Sequence, residues 1–255
     1  MFSDNRIWGA IPEGFQKLTD PQGNRLVVRA DRQREILFAT CLDIERYGTP
    51  AGYYGRGDMR SVQLTDGTTA LFRRYRHGGI FRSITGKWFF SWPPRPFREL
   101  SVTEELRRRG LPTVEVYAAC VGKIAGPFYR GCLVTRQLEG AHDLWAALHS
   151  GFCQSVGIEA VLKAVAVAIR RMHREGVYHH DLNLKNILVR STAAGVESHV
   201  IDFDKAILFL GQLPVPLAQN NLQRLSRSIG KLDPQRQYFP RGAWDGFLEY
   251  YNASS

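Results

Sequence analysis

The segment GIEAVLKAVAVAIRRMHREG, residues 157–176, runs directly into VYHHDLNLKNILV, residues 177–189, and this junction constrains the fold more than any other part of the chain. In the first piece Ile158, Val161, Leu162, Val165, Ile169 and Met172 recur at helical spacing, which predicts a long amphipathic helix. Gly176 is placed to cap its C-terminus. His173, one turn before the end, reads as a structural histidine with its hydrogen bonds satisfied. The second piece crowds His179, His180, Asp181, Asn183, Lys185 and Asn186 between apolar neighbours. So many polar groups are costly to bury, and the run holds neither Gly nor Pro to make a simple turn. Such a loop is a surface connection or a reaction site.

The rest of the chain arranges itself around that junction. NILV and SHVIDF read as short strands flanking a turn at Ala194-Gly195. SVQLTDGTTALFRRY reads as a hairpin about Asp66-Gly67, a strong turn dipeptide. FRELSVTEELRRRG reads as a helix stopped by Gly110, VEVYAACVG and YRGCLVTRQL as two more strands, and DLWAALHSG as a short helix. The first 60 residues offer only scattered glycines. A strand-rich first part and a helix-rich second part predict an α+β protein of two lobes, residues 1–138 and 139–255, with a ligand site in the cleft between them.

Composition narrows the class. The 255 residues are 44% hydrophobic, enough to bury a sizeable core. Lys and Arg number 34 against 24 Asp and Glu, a formal charge of +10, which favours nucleic acid, anionic lipid or phosphorylated small molecules as partners. No aromatic-basic module matches a nucleic-acid binder, so nucleic acid is not expected. Four scattered cysteines without C-x-x-C spacing suit a reducing compartment. The N-terminus, MFSDNRIWGAIPEGF, lacks an apolar run after a basic segment, so no signal peptide is expected, and no apolar run is long enough to span a bilayer.

The polar loop fits the kinase catalytic pattern H-R-D-L-x-x-x-N, with His179 in the His place, His180 in the Arg place, and Asp181, Leu182 and Asn186 matching outright. Phosphoryl transfer needs a carboxylate to orient and deprotonate the attacking hydroxyl, here Asp181. It also needs an oxygen ligand for Mg²⁺ near the leaving phosphates, here Asn186. Downstream, VIDFDKA places Asp202 after an apolar strand, where kinases hold a second Mg²⁺ ligand; Asp204 stands at the glycine place of that triplet. Upstream, TALFRRYRHGG offers the phosphate-gripping cation but holds no Lys. Arg73 is the choice, on one strand face with Leu71, while Arg74 faces outward. Glu99 is placed to pair with Arg73; Glu104 and Glu105 compete for that place but fit better as a solvated helix face with Arg107 to Arg109. Gly55 and Gly57 in GYYGRGD are candidates for a phosphate cover whose backbone N–H groups approach oxygens.

From about Gly55 to Leu232, the segments RRYRHGG, FREL, LRRRGLPTVEV, YRGCLVTRQLEGAHDL, VYHHDLNLKNILV, IDFDKA and NLQRLSRSIGKL together resemble the 3-deoxy-D-manno-octulosonic acid (Kdo) kinases, which group with the lipopolysaccharide core kinases. The resemblance implies a protein-kinase-like bilobal fold, ATP and Mg²⁺ as cofactors, and phosphate transfer to a hydroxyl of Kdo on a lipid A precursor at the cytoplasmic face of a Gram-negative inner membrane. It points to Asp181 as base, to Asn186 and Asp202 as metal ligands, and to Arg73 at the lysine place. His180 and the LPT after the helix depart from the pattern. A heptose kinase would share every catalytic residue, a small atypical protein kinase is a further alternative, and a silent kinase-like binding module is the alternative from another class. The basic surface suits peripheral binding to an anionic membrane, and the aromatic IFRSITGKWFFSWPP either rests at a lipid interface or packs in a lobe core. The short link from Asp202 to NNLQRLSRSIGKL leaves little room for a regulated activation loop.

Overall fold

A computed structural model of the chain describes residues 8–51, 59–75, 89–126, 128–240 and 242–253. It comprises two compact units, one formed by Met1–Glu105 with Glu115–Gln137 and the other by Leu106–Val114 with Leu138–Ser255.

The first unit begins with strands β1 (Phe15–Thr19) and β2 (Arg25–Arg29), followed by two short helices, α1 (Phe38–Leu42) and α2 (Ile44–Tyr47). Next come β3 (Thr49–Pro50), β4 (Met59–Gln63), β5 (Thr69–Arg74), helix α3 (Arg95–Arg108), β6 (Val116–Ala125) and β7 (Phe128–Arg136). Among the described residues the seven strands form one antiparallel sheet in the order β1-β2-β6-β7-β5-β4-β3.

Alternation along the strands sorts the apolar residues onto two faces. Leu26, Val28, Ala70, Phe72, Cys120, Cys132 and Val134 pack with Ile36, Cys41 and Ile44 on one face. Val27, Tyr75, Ala119, Val121 and Leu133 pack with Phe97 and Leu100 on the other. Because both faces are covered, the central strand reads VYAACVG with every residue from Val116 to Gly122 buried. A register shift between Val116 and Ala118 puts two neighbours, Tyr117 and Ala118, on the same face.

The second unit carries β8 (His142–Asp143), α4 (Leu144–His149), α5 (Phe152–Val156), α6 (Ile158–Arg174), β9 (Val177–Tyr178), β10 (Ile187–Thr192), β11 (Gly195–Val200), β12 (Ile207–Leu208), α7 (Val215–Leu232) and α8 (Ala243–Asn252). Helix α6 buries Val161, Leu162, Val165, Ile169, Met172 and His173 along one stripe, the spacing read from the sequence. Gly176 follows it in the left-handed region, φ 73°, and a Cβ there would lie 2.3 Å from the Gly211 carbonyl oxygen, so glycine is required. Strands β10 and β11 form a hairpin whose two-residue turn is Ala193-Ala194, one residue earlier than the sequence suggested.

Several local expectations are corrected. The first 60 residues hold the β1–β2 hairpin and two helices. Glu104 is buried rather than solvated; its carboxylate accepts the Val116 N–H at 2.8 Å, satisfying a backbone donor at the register shift. Arg74 leaves the sheet on the face opposite Arg73, yet it is covered: it donates to the Leu42 carbonyl at 2.6 Å and pairs with Glu45. The aromatic segment divides, with Phe89 in the core and Phe90 and Trp92 exposed; residues 80–88 lie outside the described part. The four cysteines are buried free thiols.

Candidate active site

Within the first unit, the strand period sends Leu71, Arg73 and Tyr75 to one side of β5. One turn into α3, Glu99 meets that face. Arg73 Nη2 donates to both carboxylate oxygens of Glu99, at 2.5 and 2.6 Å, and the Tyr75 hydroxyl donates to the same carboxylate. Glu99 is only 2% exposed, and a carboxylate so far from water needs such partners. The Arg73 guanidinium also lies 5.0 Å from the centre of the Tyr75 ring. The result is a cation held in one rotamer from two sides, with about a quarter of the Arg73 side chain still exposed. Tyr75 was not singled out from the sequence, though its place two residues after Arg73 on the same face was a usable signal. Gly55 and Gly57 lie outside the described residues.

Within the second unit, the polar loop follows β9, which pairs with β12. His179 is fully buried and organises the loop. Its Nδ1 accepts the backbone N–H of Asp181 at 3.1 Å, and its Nε2–H donates to the Ile201 carbonyl at 3.0 Å. Those two bonds define a neutral imidazole with the proton on Nε2. Burial acts in the same direction, pushing the His179 pKa down. The Phe203 ring packs 5.3 Å from the imidazole.

Asp181 is exposed. Its carbonyl accepts two side-chain amides, Asn186 Nδ2 at 2.8 Å and Asn183 Nδ2 at 2.9 Å. Asn183 Oδ1 in turn accepts the Lys185 N–H, starting one turn of 3₁₀-helix over Leu184–Asn186. Because Nδ2 of Asn186 is turned toward Asp181, Oδ1 is the end that can offer oxygen to a cation. The Asn186 carbonyl accepts the Ile201 N–H at 3.0 Å, so Asp202 follows directly on a residue bonded to Asn186. Asp202 has φ 70°, a left-handed conformation that Asp tolerates better than most residues. Thus Asp181, Asn186 and Asp202 are brought together by a shared set of backbone and side-chain hydrogen bonds.

Two further residues support the loop from helix α7. Asn221 is completely buried and bonds both backbone groups of His179, and Ser228 Oγ accepts the Leu184 N–H at 3.0 Å. Both lie in NLQRLSRSIGKL, where Asn221 shares a helical stripe with Leu225 and Ile229. A polar residue on an otherwise apolar stripe was the sequence signal for this role. His173 joins the same network, as a satisfied structural residue: Nε2–H donates to Asn221 Oδ1 at 3.2 Å and Nδ1 accepts the Tyr251 hydroxyl at 2.7 Å.

Comparison with known proteins places this geometry. Residues 51–251 match the model of the lipopolysaccharide kinase (Kdo/WaaP) family. The chain is 34% identical over 205 residues to a protein of Pasteurella multocida named 3-deoxy-D-manno-octulosonic acid kinase, covering 78% of this chain and 82% of that one. It is 37% identical over 180 residues to a protein of the same name from Vibrio vulnificus, covering 69% and 71%. Among solved structures it resembles WaaP in complex with acyl carrier protein, with a TM-score of 0.55 at 19% identity over 89% of this chain and 88% of that one. It also resembles a Rio2 kinase from Chaetomium thermophilum, with a TM-score of 0.51 at 17% identity over 95% and 73%. The fold is therefore α+β and protein-kinase-like.

Proposed function

The chain belongs to the lipopolysaccharide kinase (Kdo/WaaP) family, and on that premise we propose that it transfers the γ-phosphate of ATP to a hydroxyl of Kdo on a lipid A precursor. The relatives named as Kdo kinases support the acceptor. The observation that carries the reading is the hydrogen-bonded set of Asp181, Asn186 and Asp202, each with a group suited to one part of phosphoryl transfer.

Asp181 is the base. Its backbone is fixed at both the N–H and the carbonyl while its carboxylate faces solvent, so it orients the acceptor hydroxyl and takes its proton. Asn186 Oδ1 and the Asp202 carboxylate would hold Mg²⁺, and two protein oxygens suit an ion that takes few protein ligands. The chemistry it would supply is neutralisation of charge on the phosphates. Arg73, braced by Glu99 and Tyr75, grips the nucleotide phosphates in place of the usual lysine.

The acceptor is a phosphorylated, carboxylated glycolipid, and none of the described helices is long and apolar enough to cross a membrane. The enzyme works peripherally, at the cytoplasmic face of the inner membrane, with its +10 charge attracted to anionic lipid. The decisive experiment incubates the purified protein with ATP, Mg²⁺ and Kdo-lipid A and reads the product by mass spectrometry. One added phosphate on the Kdo residue is the expected result; no phosphate on Kdo, or phosphate on protein alone, rejects the reading.

A further inference from the structure

The link from Asp202 to helix α7 has no visible structural reason for its composition. Ten large apolar side chains are exposed among the described residues, and four of them, Ile207, Leu208, Leu210 and Val215, fall within the nine residues from 207 to 215. Leu210 is wholly exposed and Val215 is 68% exposed. Singly scattered surface apolar residues need no explanation, but a run of them does.

The run is well fixed at its base. Ile207 and Leu208 pair with Tyr178 and Val177, the two residues before the catalytic loop. Phe209 N–H donates to the Gly176 carbonyl at 2.9 Å and Leu213 N–H to the His173 carbonyl at 2.8 Å. The segment is thus strapped across the C-terminal end of α6. That end is basic: Arg171 and Arg174 are exposed there, and exposed Lys205 stands two residues before Ile207. The acidic side chains nearby are withdrawn, with Asp204 buried and Glu175 half-buried.

Apolar side chains at a turn, beside exposed guanidinium and ammonium groups, match the cross-section of a bilayer surface: hydrocarbon below, anionic headgroups at the rim. We infer that residues 207–215 dock the enzyme on an anionic membrane, with Leu210 and Val215 entering the interface and Arg171, Arg174 and Lys205 meeting headgroup phosphates. A bilayer accommodates a projecting side chain of any shape, whereas a protein partner would have to supply a matching cavity. The inference rests on the proposed glycolipid acceptor. It adds the element that brings the protein to that lipid, five residues past the metal-binding Asp202.

The test is co-sedimentation of the full chain with vesicles of phosphatidylglycerol and phosphatidylethanolamine, and with neutral phosphatidylcholine vesicles, at low and high salt. The variant is Leu210→Asp with Val215→Asp; both side chains are exposed, and Asp at the first turn of α7 is favourable for the helix. Binding to the anionic vesicles should fall by roughly tenfold or more, since a charge replaces a leucine-sized apolar group at the interface. Phosphorylation of a water-soluble Kdo glycoside should stay unchanged. Equal sedimentation of variant and parent overturns the inference, as does loss of binding only in a Phe90→Asp, Trp92→Asp variant. Parent dimerisation that the Leu210 variant abolishes, with vesicle binding intact, also overturns it and assigns the patch to a second copy. If the vesicle results are as expected but no form of Kdo is phosphorylated, the docking element stands and the proposed acceptor fails.

Discussion

Asn221 closes on His179 through two bonds: its Oδ1 accepts the His179 N–H at 3.1 Å and its Nδ2 donates to the His179 carbonyl at 2.8 Å. A primary amide carries the acceptor and donor that these two backbone groups need, and here both are buried. Through the imidazole the clamp extends to the Asp181 N–H and the Ile201 carbonyl. A helix far along the chain therefore sets the geometry of the residues proposed to act on the acceptor and the metal.

Asn221→Leu should be strongly destabilising. It leaves an N–H and a carbonyl of His179 buried without their partners, each costing about 1–3 kcal/mol. Asn221→Asp keeps the acceptor but sets a buried carboxylate oxygen against the His179 carbonyl, so at neutral pH its loss should be at least as large as that of the leucine variant. Urea unfolding of the three proteins checks the order. If Asn221→Leu unfolds at the parent's midpoint, the clamp is not contributing.

Asp202→Asn and Asp181→Asn should both remove most of kcat, but through different steps. At position 202 Asn is the informative choice, because it tolerates the left-handed backbone that Asp202 adopts, so the fold is kept while the charge is lost. That variant should need more Mg²⁺ and lose turnover by about 10²-fold or more, as expected for removing charge stabilisation from phosphoryl transfer. Asp181→Asn should leave ATP affinity near the parent value, since the residue acts on the acceptor. Nucleotide titrations and steady-state rates at several Mg²⁺ concentrations separate the two. A collapse of ATP affinity in Asp181→Asn would contradict the role given to it.

Arg73→Ala and Arg74→Ala should split cleanly between function and stability. Arg73 is partly exposed and held by Glu99, so its loss should raise KM for ATP, and it removes the cation beside a carboxylate that is 2% exposed. Lysine at 73 should restore only part of the function, because a single ammonium cannot reproduce the planar fork. Arg74 is tied to the Leu42 carbonyl and Glu45, so Arg74→Ala should lower the melting temperature with KM for ATP little changed. ATP kinetics with thermal melts on the same preparations decide it. The reverse ranking in KM would show that the phosphate-gripping role belongs to the other arginine.

How much of this was legible in the sequence depended on element length. Helix α6 and the loop after it announced themselves, because seventeen residues give a helical period room to repeat and the kinase spacing points to Asp181, Asn186 and Asp202 as the proposed site. The Arg73–Glu99 pair followed from strand alternation. Helices α1 and α2, of five and four residues, are too short to show a period, and β1 has no fully buried residue; so the cover over Arg74 was missed. Glu104 was misread because its burial depends on a strand irregularity at Val116 that no local pattern reveals. Asn221 was within reach, as a polar residue on an apolar stripe, but its two bonds to His179 depend on tertiary packing.

The buried histidines carry the last prediction, a dependence of stability on pH. Burial, the largest cause, lowers the His173 pKa to about 4, against the favourable hydrogen bond that it donates to Asn221, and lowers that of His179 as well. Each is neutral in the folded protein at neutral pH and protonates readily in the unfolded chain near its ordinary value of 6.5. Between those limits the unfolded state binds more protons, so stability is full above about pH 6.5 and falls as the solution is acidified toward pH 4. Protonation would also break the network, since the Tyr251 hydroxyl donates to His173 Nδ1 and the Asp181 N–H donates to His179 Nδ1. Urea midpoints at pH 7.5, 6.5, 5.5 and 5.0 should decline steadily below 6.5, before most carboxylates titrate. His173→Gln should flatten the slope while lowering the midpoint at pH 7.5, because the amide keeps a polar partner for Asn221 but takes up no proton. A parent midpoint constant from pH 7.5 to 5.0, or a His173→Gln slope equal to the parent's, would show that protonation of His173 is not coupled to folding.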